Sequence, residues 1–425
     1  MLATSAALVA MSGASPAWTS TDRPFTKILE GDSTGLFLPY DIAVDSRDRL
    51  YATNSNANTV TVYAADWASG DTAPVKSLSG PPEATGLTRP IGIAFDSTNR
   101  MYIANQFGGV NVYEANWADG ATAPVKVLDL MGLGSPLYVA FDSRGMMYVT
   151  VLAPEGGSLV AAYDAGWTTA SPDLVAKVPP DKILRGPATG LGAQVRGIAF
   201  DAADRMYVVT TGLTLEEGKS VVTVYAPGWA DGDTAPVKRL EGSETGLSQS
   251  IDVGIDFLGR MRVTNLNAQS VTIYDAEWPS GNTRPLTTLS GATSGLEQPI
   301  GMGFDAGGNM YVSSVGPPPT QTSRILMYSP DKSVEIAGTR PKASTLILTG
   351  KTSGIRIGST VTAYLKVVTR GQKFKALPPV KVTGKGLAKG AFRVQVTNVN
   401  PKKAYQFYVI VDGIRSRTVT LAARP

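Results

Sequence analysis

The residues able to do chemistry in this chain are few, and the shortage is informative. Neither histidine nor cysteine occurs among its 425 residues. Without histidine there is no Ser-His-Asp triad, no His-ligated zinc and no general base of the commonest kind. Without cysteine there is no thiolate ligand, thiol nucleophile or disulfide. Acid–base or metal chemistry would fall to carboxylates, and the conspicuous ones recur. Asp45, Asp96, Asp142, Asp201, Asp256 and Asp305 each close a run such as Ile93-Ala-Phe-Asp96. They could form a metal-binding ring, but they fall in segments such as Asp96-Ser-Thr-Asn-Arg100, where an Asp side chain caps backbone N–H groups, and the turn reading is preferred. Asp231-Gly-Asp233 lacks the further oxygen ligands and terminal Glu of a calcium loop and reads as another turn. These residues call for no metal and no cofactor.

The elements that position them repeat. Ile42-Ala-Val-Asp45 with Leu50-Tyr51 returns five times at intervals of about fifty residues, through Met302-Gly-Phe-Asp305 with Met310-Tyr311. A second signature follows in each unit, from Val60-Thr-Val-Tyr63 to Ile325-Leu-Met-Tyr328, and most units end like Pro74-Val-Lys-Ser-Leu-Ser-Gly80. Alternating β-branched and aromatic residues bounded by Gly, Asp and Pro read as strands, four to a unit, and each unit as one propeller blade. The sixth unit lacks its last strand, whereas Lys27-Ile-Leu-Glu-Gly31 matches that strand and precedes the first unit. The N-terminal segment is therefore expected to supply it. The fold class is all-β: a six-bladed β-propeller over 24–340 closed by an N-terminal outer strand, then a small β-sandwich over 341–425.

These motifs, with the accompanying Tyr-x-x-x-Trp and Ala-Pro-Val segments, resemble the NHL-type propeller repeat over residues 24–340. That resemblance implies an adhesive, recognition or occasionally enzymatic scaffold. Positions where the copies differ are the candidate site. Near the start of the innermost strand, Gly92, Gly197 and Gly301 correspond to Asp41, Tyr138 and Asp252, with Arg196 one residue earlier in its unit. The second strand ends in Asn54, Asn105 and Asn265, with Thr210 and Ser314 in two other units. Both positions are expected at one mouth of the central channel, as a polar, hydrogen-bonding pocket. Gluconolactonase-type relatives implied by the wider family hold a divalent metal with Glu, Asn and Asp there, and streptogramin lyases of similar fold need a histidine. Here only Asp41 and Asp252 could supply charge, so a binding role is favoured over a hydrolase or lyase.

Five tryptophans, Trp67, Trp117, Trp167, Trp229 and Trp278, stand four residues after the repeat tyrosine. They could form an aromatic ring for sugars; packing between neighbouring sheets is preferred. The longest loop insertions are 153–157, 212–218 and 316–320.

After Pro341 the blade motifs give way to short alternating stretches that resemble a fibronectin type III-like or bacterial immunoglobulin-like domain. Sixteen Lys and Arg stand there against the single acid Asp412. Lys373, Lys375, Lys381, Lys385 and Lys389 are the candidates for holding a polyanion, an anionic cell-wall polymer being the expected partner; solvating the surface or docking on an acidic propeller is the alternative. No helix-turn-helix or zinc motif suggests specific nucleic-acid binding. Residues 1–17, uncharged and ending Ala14-Ser15-Pro16-Ala17, read as an export signal without its basic start, and no stretch is long and apolar enough to span a bilayer. The expectation is a secreted or envelope-associated protein that binds a protein or carbohydrate ligand at the propeller's loop face; a lactonase-like enzyme and a structural matrix component are the alternatives.

Overall fold

The computed structural model describes residues 23–425 except 213–219, 318–320, 331–332, 343, 354–359, 368–372, 374, 377–379, 382–390, 398, 401, 412–413, 417–418 and 422–425. The proposed export signal lies outside the described residues. Two compact units divide at Ser329/Pro330.

The larger unit is a β-propeller built from four-stranded antiparallel sheets. The first contains Pro39–Val44, Leu50–Asn54, Thr59–Tyr63 and Lys76–Leu78, and the same order recurs in sheets beginning at Pro90, Ser135, Gln194 and Ser250. The last has Pro299–Phe304, Met310–Val315 and Ser323–Tyr328, with Lys27–Glu30 as its outer strand, Leu29 opposite Ile325. Each inner strand contacts the inner strands of the sheets before and after it, and that of Pro299–Phe304 contacts that of Pro39–Val44. The second strands of the sheets are buried almost throughout, as in the all-buried Leu50–Asn54 and Met101–Asn105. Their near-continuous apolar pattern follows from having a neighbouring sheet on each side.

The six repeated aspartates are turn caps. Asp96 Oδ1 accepts the N–H groups of Thr98 at 2.9 Å and Arg100 at 3.0 Å, while Oδ2 takes Arg100 Nε at 2.7 Å and the Tyr102 hydroxyl at 3.2 Å. The arrangement recurs at Asp45, Asp142 and Asp201; Asn309 replaces the arginine beside Asp305, and Arg262 replaces the tyrosine beside Asp256. Asp231 likewise accepts the N–H of Ile183 at 2.7 Å, and Asp233 that of Ala188 at 2.7 Å.

The tryptophans pack between sheets and are at most 6% exposed. A lysine on the outer strand of the preceding sheet crosses each of four rings and donates to that tryptophan's carbonyl. Lys238 Nζ, for example, lies 5.3 Å from the Trp278 ring centroid and 3.0 Å from its carbonyl oxygen. Trp167 differs because Lys126 instead reaches the carbonyls of Ser171 and Asp173, where Val175–Ala176 adds a parallel fifth strand beside Lys126–Leu128.

The smaller unit begins eleven residues before the change of pattern at Pro341, because Ser333–Lys342 is a strand paired with Thr345–Ser353, which in turn pairs with Ala391–Val396. A second sheet centres on Thr360–Val367 and Tyr405–Val411. One apolar cluster, including Ile336, Leu348, Val361, Phe392 and Phe407, lies between alternating residues of both sheets. Among the described residues no helix is long and apolar enough to cross a membrane.

Candidate functional site

The position at which the repeats differ lies on the inner strands, and its alternation has a steric origin. A Cβ on Gly92 would stand 2.6 Å from the Cα of Tyr138, one on Gly197 2.7 Å from the Cα of Asp252, and one on Gly301 2.7 Å from the Cα of Asp41. Glycine in every second sheet lets the following inner strand approach, and the larger residues Asp41, Tyr138 and Asp252 stand in the sheets between.

Both aspartates bind across sheet boundaries. Asp41 Oδ1 accepts the N–H of Ile42 at 2.8 Å and Oδ2 that of Ile93, in the next sheet, at 2.9 Å. Asp252 does the same with Val253 and Met302, at 2.8 Å each. Both side chains are buried, and no cation offsets them. Burial pushes the Asp252 carboxyl up to about 7 against the pull of those two N–H groups. Burial, with the nearby charge of Asp252 second, pushes Asp41 well above the ordinary carboxylate range.

Tyr138 and Arg196 complete the group. The Tyr138 ring is 3% exposed, 6.3 Å from that of Tyr40, and its hydroxyl has no hydrogen-bond partner. Burial and the charges of Asp252, Tyr40 and Asp41 hold that hydroxyl well above its ordinary value, while Arg196 pulls it down. Arg196 donates from Nη2 to Gln194 Oε1 at 2.5 Å, and its buried Nε has no partner. Four sheets thus bring two satisfied carboxylates and two unsatisfied polar groups together.

The asparagines do not join them. Asn54 accepts the N–H of Phe37 at 3.1 Å and donates to Thr61 at 3.1 Å; Asn105 accepts from Thr88 at 3.0 Å; Asn265 accepts from the Ser250 hydroxyl at 2.7 Å and donates to Thr272 at 3.1 Å. All three are fully buried. Each amide ties the loop before its inner strand to its own sheet. The expectation that Asn54, Asn105 and Asn265 line a polar pocket is corrected accordingly. Around Tyr138 the neighbours Ile91, Leu137, Ile251 and Ile300 form part of one buried cluster with Tyr40 packed against it. Tyr40, one residue before Asp41, was legible as a member only through that register.

The insertion at 153–157 lines a crevice of about 390 Å³ with Arg185, Leu191 and Gly192. Residues 213–219 and 318–320 of the other two insertions lie outside the described residues. In the smaller unit Lys373 and Lys375 are exposed, Lys381 lies on the strand Val380–Lys381, and Lys385 and Lys389 fall outside the described residues.

Neither a protein-family model nor a curated protein sequence matches this chain. Solved structures resemble it distantly. The PQQ-bound aldose sugar dehydrogenase of Streptomyces coelicolor is 16% identical with a TM-score of 0.46, over 72% of this chain and 99% of that one. A luciferin-regenerating enzyme is 11% identical with a TM-score of 0.49, over 71% and 94%. A streptogramin B lyase is 10% identical with a TM-score of 0.38, over 72% and 99%. Likenesses this distant assign no chemistry to the chain.

Proposed function

We propose that this chain is an exported binding protein. Its six sheets form one ring of NHL-type blades closed by Lys27–Glu30. The ring takes a protein or carbohydrate ligand at the channel end marked by Tyr138 and Arg196. The basic immunoglobulin-like module attaches the protein to an anionic polymer of the cell envelope.

The observation that carries the ligand site is the pair of polar groups, Tyr138 Oη and Arg196 Nε, buried without a partner beside carboxylates that are fully engaged. A buried polar group left unpaired marks the place where a ligand or ordered water completes the structure. The carboxylates themselves hold sheets together.

The charge division supports the anchor. From Pro330 onward eighteen Lys and Arg face Asp331, Glu335 and Asp412, whereas Ser20–Ser329 carries 21 basic and 32 acidic residues. Such a module attracts polyanions over a distance that shrinks with salt.

Retention of the whole chain on purified envelope across a salt series tests the anchor. Retention that falls steeply with salt supports it, and none at low salt removes it. One observation favours a second reading, a hydrolase or lyase: a carboxyl held near 7, as in Asp252, is suited to proton transfer. Turnover lost in Asp252→Asn with the fold intact would establish that reading.

A further inference from the structure

The crevice beside loop 153–157 recurs one sheet further round the propeller with a different charge. Both copies lie where an outer strand ends, near the start of the third strand of the same sheet and the loop leading to the next inner strand. Arg185-Gly186, after the strand Lys182–Leu184, borders the first, and Glu241-Gly242, after Lys238–Leu240, borders the second; Leu191 answers to Leu247 and Ser158 to Ser220. The two serines act alike, their hydroxyls accepting the N–H groups of Val195 at 2.7 Å and Ser250 at 2.8 Å. The second copy contains its own carboxylate, with Glu241 Oε2 2.8 Å from Arg239 Nε. In the first, Ile183 stands at the position of Arg239 and Arg185 at that of Glu241, so a guanidinium is present without the acid. Arg185 is exposed, and among the described residues it makes no ion pair.

The loop on the far wall of this first copy is also built differently. Thr189 and Gly197 are eight positions apart, whereas Thr85 and Gly92, their counterparts two sheets earlier, are seven apart. Asn105 ties the shorter loop by accepting the Thr88 N–H at 3.0 Å. Thr210 takes the place of that asparagine, and its buried hydroxyl has no partner; it lies against Gly192, where an added Cβ would stand 3.0 Å from it. A buried polar group left unpaired marks a place completed by a ligand or an ordered water. Gly156, Gly157, Gly186 and Gly192 supply much of the lining, and a Cβ on Gly156 or Gly157 would meet nothing within 4 Å. The resulting volume of about 390 Å³ falls within the range of about 300–1,000 Å³ typical of small-molecule sites.

We infer that the crevice between loops 153–157 and 190–193 binds a small carboxylate, a sugar acid or an amino acid, through Arg185. The site uses neither Tyr138 nor Arg196 and stands apart from the reading of the channel end. The ligand brings to Arg185 the carboxylate that Glu241 brings to Arg239 one sheet further on. Glycine walls offer backbone groups and room, so the guanidinium makes the selection, its planar fork matching the two oxygens of a carboxylate. Phosphate fits the same fork, but the copy of the crevice that has a filled ion pair fills it with a carboxylate.

Isothermal titration of the whole chain at low salt with glucuronate, glutamate, glucose and inorganic phosphate tests the site. A carboxylate is expected to bind and glucose is not, and the tighter of glucuronate and glutamate identifies the source of the carboxylate. Arg185→Gln is expected to weaken that binding about ten-fold, as the loss of hydrogen bonds from a charged group does. Ala193→Trp fills the crevice, leaves Arg185 in place and is expected to abolish binding. Neither substitution alters a fully buried residue, so both variants should keep the wild-type melting temperature, which separates lost contact from lost fold. Wild-type affinity in Arg185→Gln overturns the site, as does phosphate binding more tightly than either carboxylate, glucose binding as tightly as glucuronate, or no binding of any of the four. Binding lost in Tyr138→Phe but kept in Arg185→Gln moves the carboxylate to the channel end, overturning the crevice site and leaving the channel reading standing.

Discussion

Aspartate serves the propeller in two places with opposite electrostatic outcomes. Asp96, Asp201 and Asp256, in the turns, lie below the ordinary carboxylate range; Asp41 and Asp252, on the inner strands, lie above it. Burial raises all five, and every one accepts backbone N–H groups. The turn carboxylates also hold an arginine, and hydrogen bonds from that side chain help bring them down. No cation among the described residues offsets the burial of the inner-strand carboxylates, and two N–H groups apiece do not make up for the loss of water. Backbone donors position a buried carboxylate; the guanidinium decides whether it is charged.

The sharpest way to break this contrast is at Asp256, which lies between the buried guanidinium groups of Arg260 and Arg262. Burial already lowers Arg262 to about 10, with Asp256 opposing the shift. Asp256→Ala removes the carboxylate from two buried cations and is expected to cost about 3–5 kcal/mol in denaturant unfolding. A loss below about 1 kcal/mol would show that the turn does not depend on its charge.

The next test is pH. A carboxyl raised in the folded state makes the fold bind protons more tightly than the unfolded chain. The stabilisation from Asp252 is therefore fully present below about pH 4, the ordinary carboxyl value, and is lost as pH rises to about 7. The lowered turn carboxylates act in the other direction, contributing stability above about pH 4 that is lost on acidification. Unfolding free energy measured from pH 4 to 8 should decline more in the wild type than in Asp252→Asn, which does not titrate. Parallel profiles would place Asp252 among ordinary carboxyls. Smaller still is the lysine crossing each tryptophan: Lys238→Met keeps the stem but removes the cation and its bond to the Trp278 carbonyl, for an expected loss of about 1 kcal/mol by chemical denaturation.

Much of the architecture was legible in the sequence because a repeat states its own period. Ile-Ala-Phe-Asp followed by Met-Tyr fixes the turn between two strands, and the stray Lys27-Ile-Leu-Glu-Gly31 copy identifies the outer strand paired with Ser323–Tyr328. The site was less legible. Asn54, Asn105 and Asn265 were polar at one repeated position, yet a side-chain amide satisfies a loop as readily as a ligand, and only three-dimensional register shows which. The strand Ser333–Lys342 was missed because it carries neither a blade motif nor a clean alternation: Gly338 and Pro341 interrupt it.

The smallest expected stability change carries the most functional information. Tyr138 occupies the place held by Asp41 and Asp252 in other sheets, but it packs against its neighbours without bonding to them, and its hydroxyl meets no partner. Asp252→Ala should strand the N–H groups of Val253 and Met302 and cost about 2–4 kcal/mol. Tyr138→Phe removes a hydroxyl that satisfies nothing in the free protein, so its effect on unfolding should stay within about 0.5 kcal/mol of zero or be stabilising. If the channel end is a ligand site, a ligand that raises the melting temperature of the wild type should raise that of Tyr138→Phe distinctly less. Equal shifts would move the site away from Tyr138. A large loss of stability in the phenylalanine variant would make the hydroxyl structural, like the carboxylates it replaces.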